Sequence, residues 1–485
     1  MIVDLRPVAF VIGRLTALLG LTMLIPTLLD SWDGHGNAPG MWLASGLTWI
    51  TGVSLAAATR EGDRENRGLN RRQGFLMTTL VWAVLPAFGA LPFFLAEPNA
   101  TVTDAYFEAM SGLTTTGATV FSELDEAPRG MLLWRGMLQW FGGVGIVVFA
   151  IVFLPALQIG GMQFFRSESF DLSVDITLRA KEIAASLGWI YVGLTLACAA
   201  AYSATGIGSF DAIVHAMTTV ATGGFGNYDG GFGVLPAGAQ WVAILFMAAS
   251  ALPFLRLAAF LRGDHRAIWR DPQIRTFLTI LSVSAGTIAA YLVWRDSYEP
   301  LEAIRQSFFN VTSVMTGTGY ASAGYDTWGG LAVGILFILA LIGGCTGSTS
   351  CSAKVFRYEI LIAALALQIR RIHSPNTVYL LRYAGRTVEP EVISSIMGFF
   401  FVFFASLALW SVLLSLQGLD ALTSVSAALA TLTNLGPGFG PEIGPEGNFG
   451  GLPDTSKWLL SVGMLLGRLE FLSVLVILSP LFWRR

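Results

Sequence analysis

The eight residues TTTGATVF, Thr114–Phe121, follow a short amphipathic stretch and end in an acidic loop, and three more turns of the same design occur further on. They are VATGGFGNYD at 220–229, MTGTGYASAGYD at 315–326 and LTNLGPGFG at 432–440. Aligning one glycine per turn picks out Gly117, Gly223, Gly319 and Gly436. A single Thr-Gly turn is ordinarily a helix cap or a close-packing site. Four turns in register, each set between the same order of segments, instead predict a quadruplicated unit.

The surroundings are those of a membrane protein. Of 485 residues, 54% are hydrophobic and only 13% charged, and the mean hydropathy is +0.64. Soluble chains carry about 25% charge. Apolar runs long enough to cross a ~30 Å hydrocarbon core recur throughout, leaving no room for a sizeable soluble domain. Ten full spans are expected, at 8–29, 40–58, 74–96, 131–157, 184–205, 237–261, 275–294, 330–343 continuing after a break to 368, 391–416 and 457–482. The first run is too long for a cleaved signal and reads as a retained span. Short stretches at about 103–116, 209–222, 302–318 and 420–434 cannot cross and read as re-entrant helices.

Arginine and lysine concentrate in four connectors: Arg60, Arg64, Arg67, Arg71 and Arg72; Arg166, Arg179 and Lys181; Arg262, Arg266, Arg270 and Arg275; Arg370, Arg371, Arg382 and Arg386. The positive-inside rule makes these connectors cytoplasmic and sends all four short helices in from outside. The expected fold is an all-α polytopic membrane protein. It has an N-terminal helix pair (1–70) and four span, pore helix, filter loop, span repeats at 71–160, 161–262, 263–372 and 373–485, arranged around a central pore.

A short helix that stops inside a membrane leaves carbonyls without partners, tolerated only against protein or a wet path. A dehydrated monovalent cation satisfies them, and four loops about one axis supply the oxygens that replace its hydration shell. The negative ends of the short helices add attraction. Asp104, Asp211 and Asp420 sit at helix starts and read as caps or dipole partners, not ion ligands.

Taken with these turns, the stretches RRQGFLMTTLVWAVLPAFGALPF (71–93), LLWRGMLQWFGGVGIVVFAIVFLP (132–155), IGGMQFFRSE (159–168), FDAIVHAMTTVATGGF (210–225) and MLLGRLEFLSVLVILSP (464–480) resemble the TrkH/TrkG/KtrB superfamily of prokaryotic potassium transporters. The extra N-terminal pair is similar to its TrkH branch. The resemblance implies potassium uptake across the cytoplasmic (inner) membrane by a homodimer with one pore per subunit, in membrane lipid, partnered by a TrkA-type cytosolic nucleotide-binding regulatory subunit. It carries the filter onto the carbonyls of Thr115 and Thr116, Ala221 and Thr222, Gly317 and Thr318, and Asn434 and Leu435, with bound K+ as the transported ion and no other cofactor. Against the TVGYG filter of simple potassium channels only the central glycine survives in every copy, which implies fewer well-formed carbonyl rings and weaker exclusion of sodium.

GGCTGSTSCSAKVFR, Gly343–Arg357, is no phosphate loop, because its lysine does not follow the last glycine and its flanks are membrane spans. Leu331–Ile342 is only ~18 Å of helix, so the segment lies at membrane depth. In the second span of the third repeat it falls across the pore beneath the filter, and its small residues, Gly343, Gly344, Thr346, Gly347 and Ser348, suit a movable gate. Arg468, halfway along the last span, is expected to face the interior and hold this loop. Lys354 is a second candidate, with a solvated cytoplasmic charge as its alternative. Glu470, on another helical face, is not expected to pair with Arg468.

Cys198, Cys345 and Cys351 read as small packing residues rather than a disulfide or metal set. The arginines form no basic face for nucleic acid. No span carries paired carboxylates, metal-spaced histidines or a nucleophile with its base, which argues against an enzyme. An ion-coupled symporter would show inverted repeats or a midplane site, whereas these repeats run one way. A less selective K+/Na+ transporter remains the nearer alternative.

Overall fold

The computed structural model describes residues 4–60, 70–149, 161–165, 176–374, 376 and 380–483; for 71, 163, 165 and 176–183 it describes the backbone alone. Among the basic residues used above to orient the chain, Arg64, Arg67 and Arg166 lie outside the described residues, as do the side chains of Arg71, Arg179 and Lys181.

The described chain is mostly helical, with almost no strand. Pro7 opens a first helix, Arg6–Thr22, which continues through Met23 into Leu24–Asp33 and stops at Gly34 in the left-handed conformation. An antiparallel neighbour, Ala38–Ala58, lies so close that a methyl at Gly13 would meet the backbone of Ala56 and one at Gly20 the backbone of Trp49. Small residues permit this approach, the usual device where lipid offers no hydrophobic drive.

The pair is pinned to the first repeat by buried Asp30. Its carboxylate accepts from the Gly130 N–H (2.6 Å), in the first turn of helix Arg129–Val148, and from Asn37 Nδ2 (2.9 Å). Asn37 Oδ1 in turn accepts from the Glu97 N–H at 2.6 Å. A carboxylate at a helix N-terminus satisfies orphan donors and meets the positive end of the dipole.

Four units then follow, each with a short helix near its centre: Val102–Leu113, Ser209–Val220, Pro300–Thr316 and Ala421–Leu432. They begin where expected and end two or three residues early, because the following residues already form the turn. Asp420 is a true N-cap, accepting from the N–H groups of Leu422 and Thr423. Asp104 and Asp211 sit in the first turn instead, bonded to Lys457 (2.6 Å) and to Asn227 (2.8 Å).

Seven described helices are long and apolar enough to cross a membrane. Two sharply bent pairs raise the number to nine: Ala237–Ser250 with Phe254–Leu261, bent 101°, and Asp454–Arg468 with Leu472–Leu478, bent 112°. The ten expected spans are therefore not all continuous, and the break at 343–354, between Gly330–Ile342 and Val355–His373, is not alone. In the second repeat Pro253 has no N–H to continue the helix. In the fourth, Glu470 and Phe471 take positive φ values of 57° and 51°. The end of the first repeat's second span, 150–160, lies outside the described residues. One further departure from an all-helical fold is a small hairpin, Arg382–Tyr383 paired with Arg386–Thr387, in the last basic connector.

Replacing Asp30 by alanine leaves the Gly130 N–H buried without its acceptor, which costs roughly 1–3 kcal/mol. The expected result is a lower melting temperature of the purified protein in detergent, with Asp30→Asn intermediate, because the amide oxygen still accepts but carries no charge. Unchanged melting in both variants would show that the carboxylate does not hold the N-terminal pair.

Candidate functional site

Each short helix ends in the same backbone device. The N–H of Thr116 donates to Ser111 O (2.8 Å), Gly223 to Thr218 O (2.8 Å), Thr318 to Ser313 O (2.9 Å) and Leu435 to Ala430 O (2.8 Å). The residue before each is left-handed: Thr115 (φ 52°), Thr222 (50°), Gly317 (73°) and Asn434 (52°). The residue after each is a left-handed glycine: Gly117 (82°), Gly224 (84°), Gly319 (82°) and Gly436 (99°). Three non-glycine residues in this region mark a backbone that its surroundings over-determine.

The pattern corrects the alignment in the second repeat. Gly224, not Gly223, is the counterpart of Gly117, Gly319 and Gly436. Gly223 instead occupies the place of Thr116, Thr318 and Leu435, and Ala221 falls one position before the turn. ATGGF offers two adjacent glycines, and the hydrogen-bond closure rather than residue identity selects between them.

The four turns meet. A methyl on Gly117 would overlap the carbonyl oxygen of Gly223, one on Gly224 that of Thr318, one on Gly319 that of Leu435, and one on Gly436 would come within 2.7 Å of that of Thr116. Each repeat thus abuts the next, and the fourth closes on the first. The carbonyls of Thr116, Gly223, Thr318 and Leu435 form a ring.

Different side chains brace the seams. Between the first and second repeats, Gln139 donates to Gly223 O (2.5 Å) and accepts from the Phe225 N–H (3.0 Å). Beside it Arg135 pairs with Glu108 at 2.8 Å, donates to Gly226 O at 2.8 Å and lies 4.2 Å from the Phe225 ring centre. Glu108 also accepts from the Val120 N–H (3.0 Å), fixing the chain as it leaves the first turn. Between the second and third, the hydroxyls of Tyr320 and Thr218 are 2.5 Å apart. Between the fourth and first, Asn434 Nδ2 donates to Thr116 Oγ1 and to Met464 O, both at 2.9 Å. The sequence reading missed Glu108, Arg135 and Gln139, although a carboxylate and a guanidinium inside apolar segments are a recognisable signal.

The loop 343–354 lies against the C-terminal ends of two of the short helices. Ser350 Oγ donates to the carbonyl of Thr316 (2.6 Å) and Thr349 Oγ1 to that of Val220 (3.2 Å), the last residues of the third and second short helices. The broken span of the second repeat supplies its other partners. Ala251 O accepts from the Cys345 N–H (3.1 Å), Ser250 O from that of Thr349 (3.3 Å), and the Phe254 N–H donates to Gly347 O (2.9 Å). Gly343 (φ 79°) and Gly347 (φ 75°) turn the chain. The Gly344 N–H donates to Ser350 Oγ (3.0 Å), the Thr346 N–H to Gln273 Oε1 (3.0 Å) and Ser348 Oγ to Cys345 O (2.7 Å).

Arg468 is buried, as expected, but it ends its helix rather than lying midway along a continuous one. It donates to Thr349 O (3.3 Å) and Gly142 O (3.5 Å) and contacts Cys351 Sγ. Lys354, in contrast, is no solvated charge. It is buried and bonded at 3.1 Å to Glu470, which also accepts from Arg357. The Arg357 guanidinium lies 3.9 Å from the centre of the Phe399 ring. Arg357 and Glu470 were not foreseen in this role; Glu470 does pair away from Arg468, but because it lies in the break after the helix at positive φ, not because it occupies another helical face. Cys198, Cys345 and Cys351 are buried free thiols.

The family model described as TrkH, cation transport protein, matches residues 46–484. The chain is 41% identical over 486 residues to the Trk system potassium uptake protein TrkI of Halomonas elongata, covering 99% of this chain and 97% of that one. It is 36% identical to the Trk system potassium uptake protein TrkH of Escherichia coli, covering 99% of both. The crystal structure of the potassium transporter TrkH from Vibrio parahaemolyticus superposes with a TM-score of 0.91 at 36% identity, covering 99% of this chain and all of that one. By sequence and by fold, the chain belongs to the TrkH family of cation transport proteins.

Proposed function

We propose that this protein carries potassium into the cell through the ring of turn carbonyls. The observation that carries the reading is the closure of that ring, each left-handed glycine lying against the next repeat's carbonyl oxygen. Peptide oxygens held at such a convergence replace the water around a bare alkali ion without being pulled out of shape. The short helices direct their negative ends at the same region. A weaker preference for potassium over sodium has support in Gly223, whose carbonyl also accepts from Gln139 and so offers less of its lone-pair density to an ion.

The loop 343–354 acts as the gate. Its Thr349 and Ser350 hydroxyls take the short-helix carbonyls that would otherwise face a departing ion, and Arg468 sets a positive charge beneath them. Opening exchanges these bonds for water. A cytosolic nucleotide-binding subunit of the TrkA type drives that exchange, acting on a homodimer in the cytoplasmic membrane whose basic connectors face inward. The unit boundaries 71–160, 161–262, 263–372 and 373–485 delimit the quarters of the pore, with 1–70 outside it.

The ring is tested by rubidium uptake into liposomes, with sodium as competitor. Gly319→Ser is expected to lower rubidium flux or to admit sodium, because its side chain meets the Leu435 carbonyl at a positive φ. The corrected register gives a finer test. A methyl at Gly223 meets the Gln139 side chain first, so adding Gln139→Ala to Gly223→Ala should restore part of its flux, whereas Gly224→Ala, against the Thr318 backbone, should not recover. Wild-type selectivity in Gly319→Ser and Gly224→Ala would remove the ring from the ion path.

For the gate, Ser350→Ala removes one hydrogen bond worth ~1 kcal/mol, so flux without the regulatory subunit should rise about fivefold. Arg468→Ala, losing charged contacts, should raise it by more. Lower flux in both variants would make the loop structural.

A further inference from the structure

Arg14 faces outward from the first span and Arg60 stands just past the end of its antiparallel neighbour, both exposed, and neither has a carboxylate partner among the described residues. Two turns of helix separate Arg14 from Arg6, at the start of the span, so an unpaired guanidinium here is costly. The antiparallel contacts, Gly13 on Ala56 and Gly52 on Ala17, set the end of the second helix beside the beginning of the first. Side chains on a helix lean towards its N-terminus. The Arg14 guanidinium follows this rule, lying 5.7 Å from the ring centre of Phe10, one turn back. Both cationic groups therefore stand at one level, at one end of a groove of about 850 Å³ between the two helices.

The remainder of that groove is apolar, walled by residues such as Leu15, Leu18, Val53 and Ala57. Its ridge of Val11, Leu15 and Leu18 also borders a second apolar cavity of about 380 Å³, which reaches Trp82 and Gly142. Two cations at the head of a hydrocarbon-lined channel in a membrane span match one chemistry: a phosphodiester carrying acyl chains. We propose that this groove binds an anionic diacyl phospholipid, its phosphate bridging Arg14 and Arg60 and a tail lying along the Leu15–Leu18 face. Charge complementarity favours this occupant over a second copy of the chain, which would bring another Arg14 and Arg60 to the contact. Basic pockets between membrane helices hold anionic lipid head groups through the same attraction. The site does not depend on which ion the protein carries.

The test is native mass spectrometry of the full-length protein in detergent, titrated with phosphatidylglycerol or with phosphatidylcholine. Wild type should retain phosphatidylglycerol preferentially. Arg14→Gln with Arg60→Gln should weaken its retention about tenfold, to the level of phosphatidylcholine, with unchanged melting temperature. Arg14→Lys with Arg60→Lys should keep most of it. Equal retention of the two lipids by wild type, or undiminished phosphatidylglycerol on the double glutamine variant, overturns the proposal. So does loss of the dimer without change in lipid retention, which would make the groove a subunit contact.

Discussion

Everything at the centre of this molecule depends on four pieces of backbone approaching one another more closely than side chains allow. Gly117, Gly224, Gly319 and Gly436 each lie where a methyl would strike a neighbouring carbonyl, and that contact fixes the spacing of the ring. Converging carbonyl dipoles repel, so the arrangement persists only where other bonds hold it from behind. Arg135, Glu108, Gln139, Tyr320 and Asn434 do so. The left-handed residues Thr115, Thr222 and Asn434 show how tightly the backbone is constrained.

Beneath the ring a second constraint operates. Backbone groups at membrane depth must find partners, and a broken helix exposes several at once. The break after Ser250 and the loop 343–354 resolve this together, each supplying what the other lacks. The break after Arg468 joins the same layer through Glu470, which neutralises one of two buried cations, Lys354 and Arg357. Removing Glu470 would leave both uncompensated, a larger penalty than the pair's own net worth.

The sequence made the fourfold repetition legible because apolar length, basic connectors and glycine turns all recur with it. It made the loop at 343–354 legible because twelve apolar residues followed by small polar ones cannot cross. Residue identity could not choose between Gly223 and Gly224, since what distinguishes them is the Gly223 hydrogen bond to Thr218 and the left-handed backbone of Gly224. The bend after Arg468 is carried by Leu469, Glu470 and Phe471, none of them a residue that ordinarily turns a chain. Lys354 read equally as a gate residue and as a solvated charge until the fold brought Glu470, far along the chain, beside it. The bracing of the ring is tertiary throughout: Gln139 lies in one repeat and its partners in another.

Because all four quarters belong to a single polypeptide, the seams are free to differ: an amide from Gln139 at one, a phenol from Tyr320 at another, an amide from Asn434 at a third. An assembly of identical subunits must accept any change four times over. Here heredity can adjust one quadrant alone, so the ring can be reshaped by small increments and is lopsided by construction.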